Sequence, residues 1–248
     1  MQQVIDRVLA AVGLVVLSPI LLPVMFLVWW QDKHSPFYIA ERVGKDERGF
    51  RMVKLRSMVI NADKSGVDST ANDDRRITRV GHFIRRFKLD EIMQLYNVLK
   101  GDMALVGPRP NVRRETDLYT RQEKRLLSVR PGITDLSSIV FSDEGDILEG
   151  TQDPDIAYNQ LIRPGKSLLG LFYIDNRSFW MDLRIIVLTV MAVLSRRRAL
   201  DGVVAILREL GAPAQLIEIA ARRTKLTPTP PPGAKSIVTN REGRVEEA

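Results

Sequence analysis

The chain has 248 residues, 45% hydrophobic and 27% charged, and its 37 Lys and Arg against 30 Asp and Glu give a formal net charge of +7. That balance belongs to a globular protein rather than a disordered or collagen-like one, and it favours an anionic partner: nucleic acid, anionic lipid or a phosphorylated substrate. With no cysteine and only His34 and His82, disulfide scaffolds, cysteine–zinc sites and thiol nucleophiles are excluded, and zinc hydrolase and serine-triad sites lack their histidines, so chemistry falls to carboxylates, hydroxyls, Lys and Arg.

Residues 8–30, VLAAVGLVVLSPILLPVMFLVWW, carry no charge and are long enough to cross a hydrocarbon core of roughly 30 Å as a helix. A cleaved secretory signal is the rival reading. The run is too long for one, two prolines interrupt it, and it ends in Trp29-Trp30 without a small-residue cleavage site. The tryptophans, followed by Lys33 and His34, resemble an interfacial anchor. Ser18-Pro19 stands mid-run, where proline removes a backbone donor and serine can bond the freed carbonyls, so a bend is expected. A mild bend gives a spanning helix and a sharp one a re-entrant hairpin. Arg7 before the run and Lys33, Arg42 and Lys45 after it put positive charge at both ends, which favours re-entry slightly.

Residues 37–194 are mixed in composition, dense in turns and without an internal repeat, and form the candidate catalytic domain, opened by Ser35-Pro36. Residues 50–58, FRMVKLRSM, alternate as a short strand ending in basic residues. Residues 78–100 read as one helix: Phe83, Ile84, Phe87, Ile92, Leu95, Tyr96 and Leu99 recur at helical spacing, and Gly101 stands where a C-terminal cap belongs. Gly107-Pro108-Arg109-Pro110 cannot continue it. The apolar run 185–194, beside Arg196, Arg197 and Arg198, is too short to span and suits either a core helix or a helix lying on an anionic membrane surface. Residues 199–223 form one or two more helices, interrupted by Gly211 and Pro213, and Pro228, Pro230, Pro231 and Pro232 open a disordered tail.

The densest polar group is Asp73, Asp74, Arg75, Arg76, Thr78, Arg85, Arg86, Lys88, Asp90, Glu91, Gln94 and Asn97, followed by Lys100, Asp102 and Arg109. On a helix Asp90, Gln94 and Asn97 share a face, with Arg86 one turn before Asp90. The bland reading is a surface ion pair between Arg86 and Asp90. The sharper one is a nucleophilic carboxylate beside a magnesium ligand, with arginines for phosphate oxygens, which is the equipment of phosphoryl transfer.

KLRSM at 54–58, DDRRITRVGHFIRRFKLDEIMQLYNVLKGDMALVGPRP at 73–110 and RPGIT at 130–134 occur in an order that closely resembles the bacterial sugar transferases, the monotopic polyprenyl-phosphate phosphoglycosyl transferases. The likeness runs from the Ser-Pro helix to Thr189. It implies an α+β, mostly helical fold: a re-entrant membrane helix-break-helix at 1–34 bent at Ser18 and Pro19, a small cytosolic catalytic domain with amphipathic interfacial helices at 35–198, a helical extension at 199–226 and a Pro-rich tail at 227–248. It further implies transfer of a phosphosugar from a UDP-sugar to polyprenyl (undecaprenyl) phosphate with release of UMP, at the cytoplasmic face of the bacterial inner membrane, as the first membrane step of glycan assembly. By motif match Asp90 is the nucleophile, Glu91 binds Mg2+ or supports proton handling, and Lys54, Arg56, Arg75, Arg85, Arg109 and Arg130 bind substrate. Membrane lipid, a second copy of the chain and downstream glycosyltransferases are the further partners expected; nucleic acid is not.

Two departures stand out. Many relatives carry Gly-aromatic-Ala-Gln after the RPGIT-like motif and an Arg a few residues on, whereas here Asp135, Leu136, Ser137 and Ser138 follow Thr134 and the Arg position falls near Ser142. Donor binding is therefore expected to differ, with Arg163 or another base compensating. The extension after residue 199 has no counterpart in the minimal family core. Two rival readings are an inactive scaffold of the same fold and a membrane-tethered nucleic-acid-binding protein built on Arg75-Arg76 and Arg85-Arg86.

Overall fold

A computed structural model describes residues 2–62, 74–240 and 245. It is mostly helical with two small sheets, an α+β arrangement. In chain order the elements are helix α1 (Gln2–Asp32), strands β1 (Phe37–Val43) and β2 (Gly49–Leu55), helices α2 (Arg79–Arg86) and α3 (Gln94–Lys100), strand β3 (Ala104–Val106), helices α4 (Arg113–Thr116) and α5 (Arg121–Lys124), and strand β4 (Gly132–Thr134). Eight-residue or shorter helices α6 (Leu136–Val140), α7 (Glu144–Leu148) and α8 (Pro154–Ala157) follow, then α9 (Arg163–Asn176), α10 (Phe179–Leu194), α11 (Arg196–Glu209) and α12 (Ala214–Ala221).

α1 is one continuous helix across Ser18-Pro19, without the helix-break-helix that the resemblance implies. The Ser18 hydroxyl donates to the Val15 carbonyl at 2.7 Å, so the side chain supplies a hydrogen bond within the turn that proline disturbs. The helix lies along the rest of the protein over its whole length. Near its start Gln2 donates to Asp182 of α10, Ala10 packs with Met52, Val98 and Met103, and Leu21, Val24 and Val28 pack with Leu55 and Ile84. At its end Asp32 accepts both arms of the buried Arg56 guanidinium at 2.5 and 2.7 Å, while Arg56 Nε donates to the Ser35 carbonyl at 2.9 Å. The other face is open and apolar: Val8, Val12, Val15, Val16, Leu22, Phe26 and Trp30 are all exposed. α1 is the one helix among the described residues long and apolar enough to cross a membrane by length and composition.

β1 and β2 form an antiparallel hairpin in which Tyr38 pairs with Lys54. β3 and β4 pair in parallel, Ala104 with Gly132 and Val106 with Thr134. Their approach requires glycine, since a Cβ on Gly132 would lie 2.1 Å from the Gly107 nitrogen.

The helix expected over 78–100 is not continuous. Lys88 adopts a left-handed conformation, with φ 55° and ψ 25°, and splits it into α2, a tight turn at Leu89–Glu91, and α3. Neither proline nor glycine marks the break. It is held by packing, because Val80, Leu89, Ile92 and Met93 can then lie together against α1 and Phe37. Gly101, at φ 94°, closes α3 as expected. Phe83 and Phe87, with ring centroids 5.0 Å apart, are exposed on the outer side, as is Tyr96.

The main core joins Val106, Leu136, Ile139, Leu169 and Ile185 with Leu200, Val203, Leu207 and Leu216, so α11 and α12 share the core of the catalytic domain. The apolar run at 185–194 belongs to α10, which buries Met181, Ile185 and Leu188 and exposes Trp180, Val187, Val190 and Leu194. Both expectations for it, core helix and surface-lying helix, have a face here. Residues 229–238 are not a free tail: Thr229 donates to the Gln160 carbonyl at 3.1 Å, Gln160 Nε2 to the Val238 carbonyl at 2.6 Å, and the Thr120 hydroxyl to the Pro232 carbonyl at 2.5 Å. These bonds and the burial of Val238 order a segment whose composition alone suggests disorder.

Gly132→Ala is expected to destabilise the protein by at least the roughly 1–3 kcal/mol of overpacking, because the new methyl meets backbone that cannot rotate away. Thermal melting in detergent checks this, and an unchanged melting temperature would refute it.

Candidate active site

Lys88 turns the chain so that Leu89–Glu91 faces β2 and the loop after β3. Glu91 receives a forked pair of hydrogen bonds from Arg109, with Nη1 to Oε2 at 3.2 Å and Nη2 on Oε1, and Lys54 Nζ stands 3.8 Å from the same Oε1. Burial pushes the Glu91 carboxyl up, but Arg109 and Lys54 together hold it well below the usual carboxylate range. In return Glu91 raises the Arg109 guanidinium further, against its burial. Lys54 is lowered by burial and by Arg109, with Glu91 and Asp90 opposing.

Asp90 is the contrasting neighbour. Its Oδ1 is buried and has no hydrogen-bond partner. Burial raises its carboxyl above the ordinary value and adjacent Glu91 adds to this, while Lys54, Arg85 and Arg109 oppose. A carboxylate with an unshared oxygen, little solvation and cations on several sides is equipped for nucleophilic attack at an electron-poor centre.

Of the residues expected to bind substrate, the fold brings Lys54, Arg85 and Arg109 to this pair of carboxylates. It does not bring the other three. Arg56 is consumed by Asp32 and tethers α1. Arg75 lies exposed in the turn before α2, and Arg130 is an electrostatic neighbour of Asp6 on α1. Among the described residues Arg86 pairs with no carboxylate; it lies over the Phe87 ring at 5.7 Å, so the bland Arg86–Asp90 pair does not form. Asp74 binds Arg76 through both carboxylate oxygens, within 3.0 Å, and Thr78 caps α2 through Gly81 N at 2.9 Å. Asp73 lies outside the described residues.

Breaking the helix also separates the roles of Asp90, Gln94 and Asn97. Asn97 is fully buried and staples α3 to β2, accepting from Val53 N at 2.9 Å and donating to the Arg51 carbonyl at 2.7 Å. Gln94 is buried with neither amide atom hydrogen-bonded. Lys100 pairs with Asp102 at 3.1 Å.

Sequence reasoning missed Glu144 and Lys166. Glu144, the first residue of α7, is paired with Lys166 of α9 and is an electrostatic neighbour of Arg109 and Lys88. Burial pushes its carboxyl up, and Lys166, Arg109 and Lys88 hold it below the usual range. More than thirty residues of sequence separate it from Glu91, so no local spacing announces it.

In the altered stretch, Asp135 caps α6 by accepting from Ser138 N at 2.7 Å and from the Ser137 hydroxyl at 2.9 Å. Arg163 does not stand in for the missing arginine. It is buried against Glu123, with Nη2 2.6 Å from Oε2, and also donates to the Leu118 carbonyl and Asn159. The cavity it borders with Arg109, Asn111, Tyr158 and Lys166 has about 30 Å³, room for a water but not for a nucleotide sugar.

No group of three or more His, Asp or Glu positioned to hold a metal exists among the described residues. Glu91 has both oxygens engaged by Arg109, which leaves Asp90 Oδ1 as the unshared carboxylate oxygen. That donor set does not make a resident metal cage. It fits a magnesium ion whose other ligands are phosphate oxygens and water.

Asp90→Asn is expected to melt at or above the wild-type temperature at pH 7. Because the folded-state carboxyl titrates above its unfolded value, stability is lost as pH rises from the ordinary carboxylate value through the raised one, and asparagine escapes that loss. The gap should close as pH falls below the ordinary value; melting curves between pH 4 and 8 decide, and a lower melting temperature for the variant at pH 7 would count against the burial argument.

Residues 1–196 match the family described as bacterial sugar transferase. The chain is 33% identical over 193 residues, 77% of its length, to a UDP-N-acetylgalactosamine-undecaprenyl-phosphate N-acetylgalactosaminephosphotransferase of Aeromonas hydrophila, covering 43% of that protein. It is 35% identical over 199 residues, 78% of its length, to a UDP-glucose:undecaprenyl-phosphate glucose-1-phosphate transferase of Xanthomonas campestris pv. campestris, covering 39% of it. To the exopolysaccharide production protein ExoY of Sinorhizobium fredii it is 34% identical over 203 residues, 76% of this chain and 83% of that one. The chain thus spans less than half of the first two relatives and most of the third. A match that takes in α1, the Asp90-Glu91 turn, the Arg109 loop and α10 makes this chain a member of the bacterial sugar transferase family.

Proposed function

We propose that the chain transfers a phosphosugar from a UDP-sugar to polyprenyl phosphate, releasing UMP, with Asp90 as covalent nucleophile. The observation that carries this is the buried, unshared Asp90 Oδ1 beside Lys54, Arg85 and Arg109, with Glu91 neutralised by Arg109. Relatives named for undecaprenyl-phosphate sugar phosphotransfer support the reaction class. Asp90 attacks the β-phosphorus of the donor, the bond from that phosphorus to the bridging oxygen breaks, and UMP departs with the oxygen. The acyl phosphate left on Asp90 is then attacked by a phosphate oxygen of the lipid, giving polyprenyl diphosphate sugar and freeing the carboxylate. Lys54, Arg85 and Arg109 offset the charge gathering on the phosphoryl oxygens. A bound Mg2+ would supply further charge neutralisation; Arg109 engages both oxygens of Glu91, the residue expected to bind it, so the unshared Asp90 Oδ1 is the protein oxygen that would meet the ion.

The open face of α1 and the exposed side of α10 suit lipid contact, with Lys33 lying over the Trp29 and Trp30 rings at 4.2 and 3.7 Å as an interfacial anchor. Both ends of α1 are tied to one domain, through Asp182 and Arg56, which supports entry and exit on the same membrane side. We place the site on the cytoplasmic face of the bacterial inner membrane, where nucleotide sugars and the lipid phosphate meet.

Purified protein in a membrane mimetic, given Mg2+, undecaprenyl phosphate and a panel of UDP-sugars, should release UMP, with a loss of at least about a thousandfold in Asp90→Asn. Omitting the lipid should leave a phosphosugar adduct on Asp90, detectable by intact mass. Release of UDP would show that only the sugar moves and would sink the covalent route. Chelation with EDTA should stop turnover while leaving the melting temperature unchanged, because no cage of carboxylates exists among the described residues to depend on the ion; a large drop in melting temperature would contradict that.

A further inference from the structure

We infer that the C-terminal extension is a working part of the site: Arg222, together with Arg196, fixes Asp143 and thereby positions Glu144 and its ion-pair partner Lys166, which lines the same cavity as Arg109. This rests on the phosphosugar-transfer reading. The family match ends at residue 196, yet α11 and α12 pack into the catalytic core, and the residue closing α12 reaches back to the chain beside the site.

Arg222 has φ 48°, in the left-handed region that costs a non-glycine residue free energy, and its side chain is 10% exposed. Its Nη2 donates to Asp143 Oδ2 at 2.9 Å, while Arg196 Nη2 lies 2.9 Å from Asp143 Oδ1 and Arg196 Nε donates to the Ser142 hydroxyl at 3.1 Å. Two guanidinium groups thus hold one carboxylate from two sides, at the residue immediately before Glu144.

The partner of Glu144 is held by the same extension. A Cβ on Gly165 would lie 2.5 Å from Phe141 and 3.1 Å from Ile219 of α12, so Phe141 and α12 both close on the residue before Lys166. The Arg222 guanidinium stands 5.5 Å from the Phe141 ring, joining the two contacts. Glu144 and Lys166 are therefore each preceded by a residue that the extension clamps. Glu144 is the second carboxylate in the electrostatic surroundings of Arg109, the first being Glu91, so its placement bears on where Arg109 stands. Arg222 is a positioning residue; it touches neither Asp90 nor Glu91.

The test measures UDP affinity by calorimetry, donor KM and kcat by UMP release, and melting temperature, for full-length wild type, R222Q, R222K, E144Q and the R222Q/E144Q pair in the same membrane mimetic. R222Q is expected to weaken UDP binding and raise donor KM about tenfold, E144Q to do likewise, and the double variant to be no worse than either single one, since both act through one contact. R222K should recover part of the loss. Wild-type UDP affinity and KM in a folded R222Q, or losses that multiply in the double variant, overturn the inference and leave Arg222 a structural staple. Should R222Q fail to fold, R196Q removes the other arm and is read by the same criteria. A wild-type chain that neither binds UDP nor releases UMP overturns the transfer reading and the inference with it, whereas a wild type that does both beside an unchanged R222Q overturns the inference alone.

Discussion

The site depends on the fork between Arg109 and Glu91. Two adjacent carboxylates in a poorly solvated place repel one another, and both are penalised by burial. Arg109 resolves the conflict unequally: it takes both oxygens of Glu91 and leaves Asp90 Oδ1 without a partner. The same carboxyl group in two neighbouring residues becomes a paired anion and an unpaired one, the latter being the nucleophile of the proposed function. Everything nearby serves this inequality. The Gly107–Gly132 approach fixes the loop that carries Arg109, the left-handed Lys88 turns Leu89–Glu91 inward, and β2 delivers Lys54.

α1 is coupled to the same frame. Its docking uses Leu55 and Ile84, the neighbours of Lys54 and Arg85 in sequence, so the helix that carries the apolar surface also backs the elements that present the cations. A helix of this length, about 46 Å, would need its ends on opposite sides to span a bilayer upright. Here both ends are bonded to one domain, and the lipid-compatible surface runs along the flank. Under the proposed function this geometry keeps the site at the depth where a lipid phosphate resides.

Much of this was legible in the sequence, and the exceptions have identifiable causes. The uncharged run, the Gly101 cap and the Asp90-Glu91 pair are local signals, and each has its structural counterpart. Periodicity misread residues 78–100 as one helix because the break at Lys88 is imposed by tertiary packing against α1 rather than by glycine or proline. Arg56 carries the same charge as Lys54, Arg85 and Arg109, and only the position of Asp32, far back in the chain, shows that it is a tether. Glu144 could not be seen because its partners, Lys166 and Arg109, come from elements that pair in space and not in sequence. The tail misled for a related reason: its proline-rich composition is poor in core-forming residues, but bonds from Thr120 and Gln160 to its backbone and the burial of Val238 hold it in place.

Under the proposed function, the charge balance accounts for one seat serving two substrates. Lys54, Arg85, Lys88, Arg109 and Lys166 surround or adjoin three carboxylates, Asp90, Glu91 and Glu144, so the group carries surplus positive charge while Asp90 is free. On that reading, a diphosphate entering this field would be attracted, and a phosphosugar left on Asp90 would consume only part of the surplus. Departure of UMP would restore the rest, and the lipid phosphate would meet much the same cationic surroundings that received the donor. A site that bound both phosphates together would have to offset both sets of negative charge at once. Sequential use halves that demand, and it requires a nucleophile able to keep the phosphosugar between the two visits, which is the role that an unshared carboxylate oxygen fits.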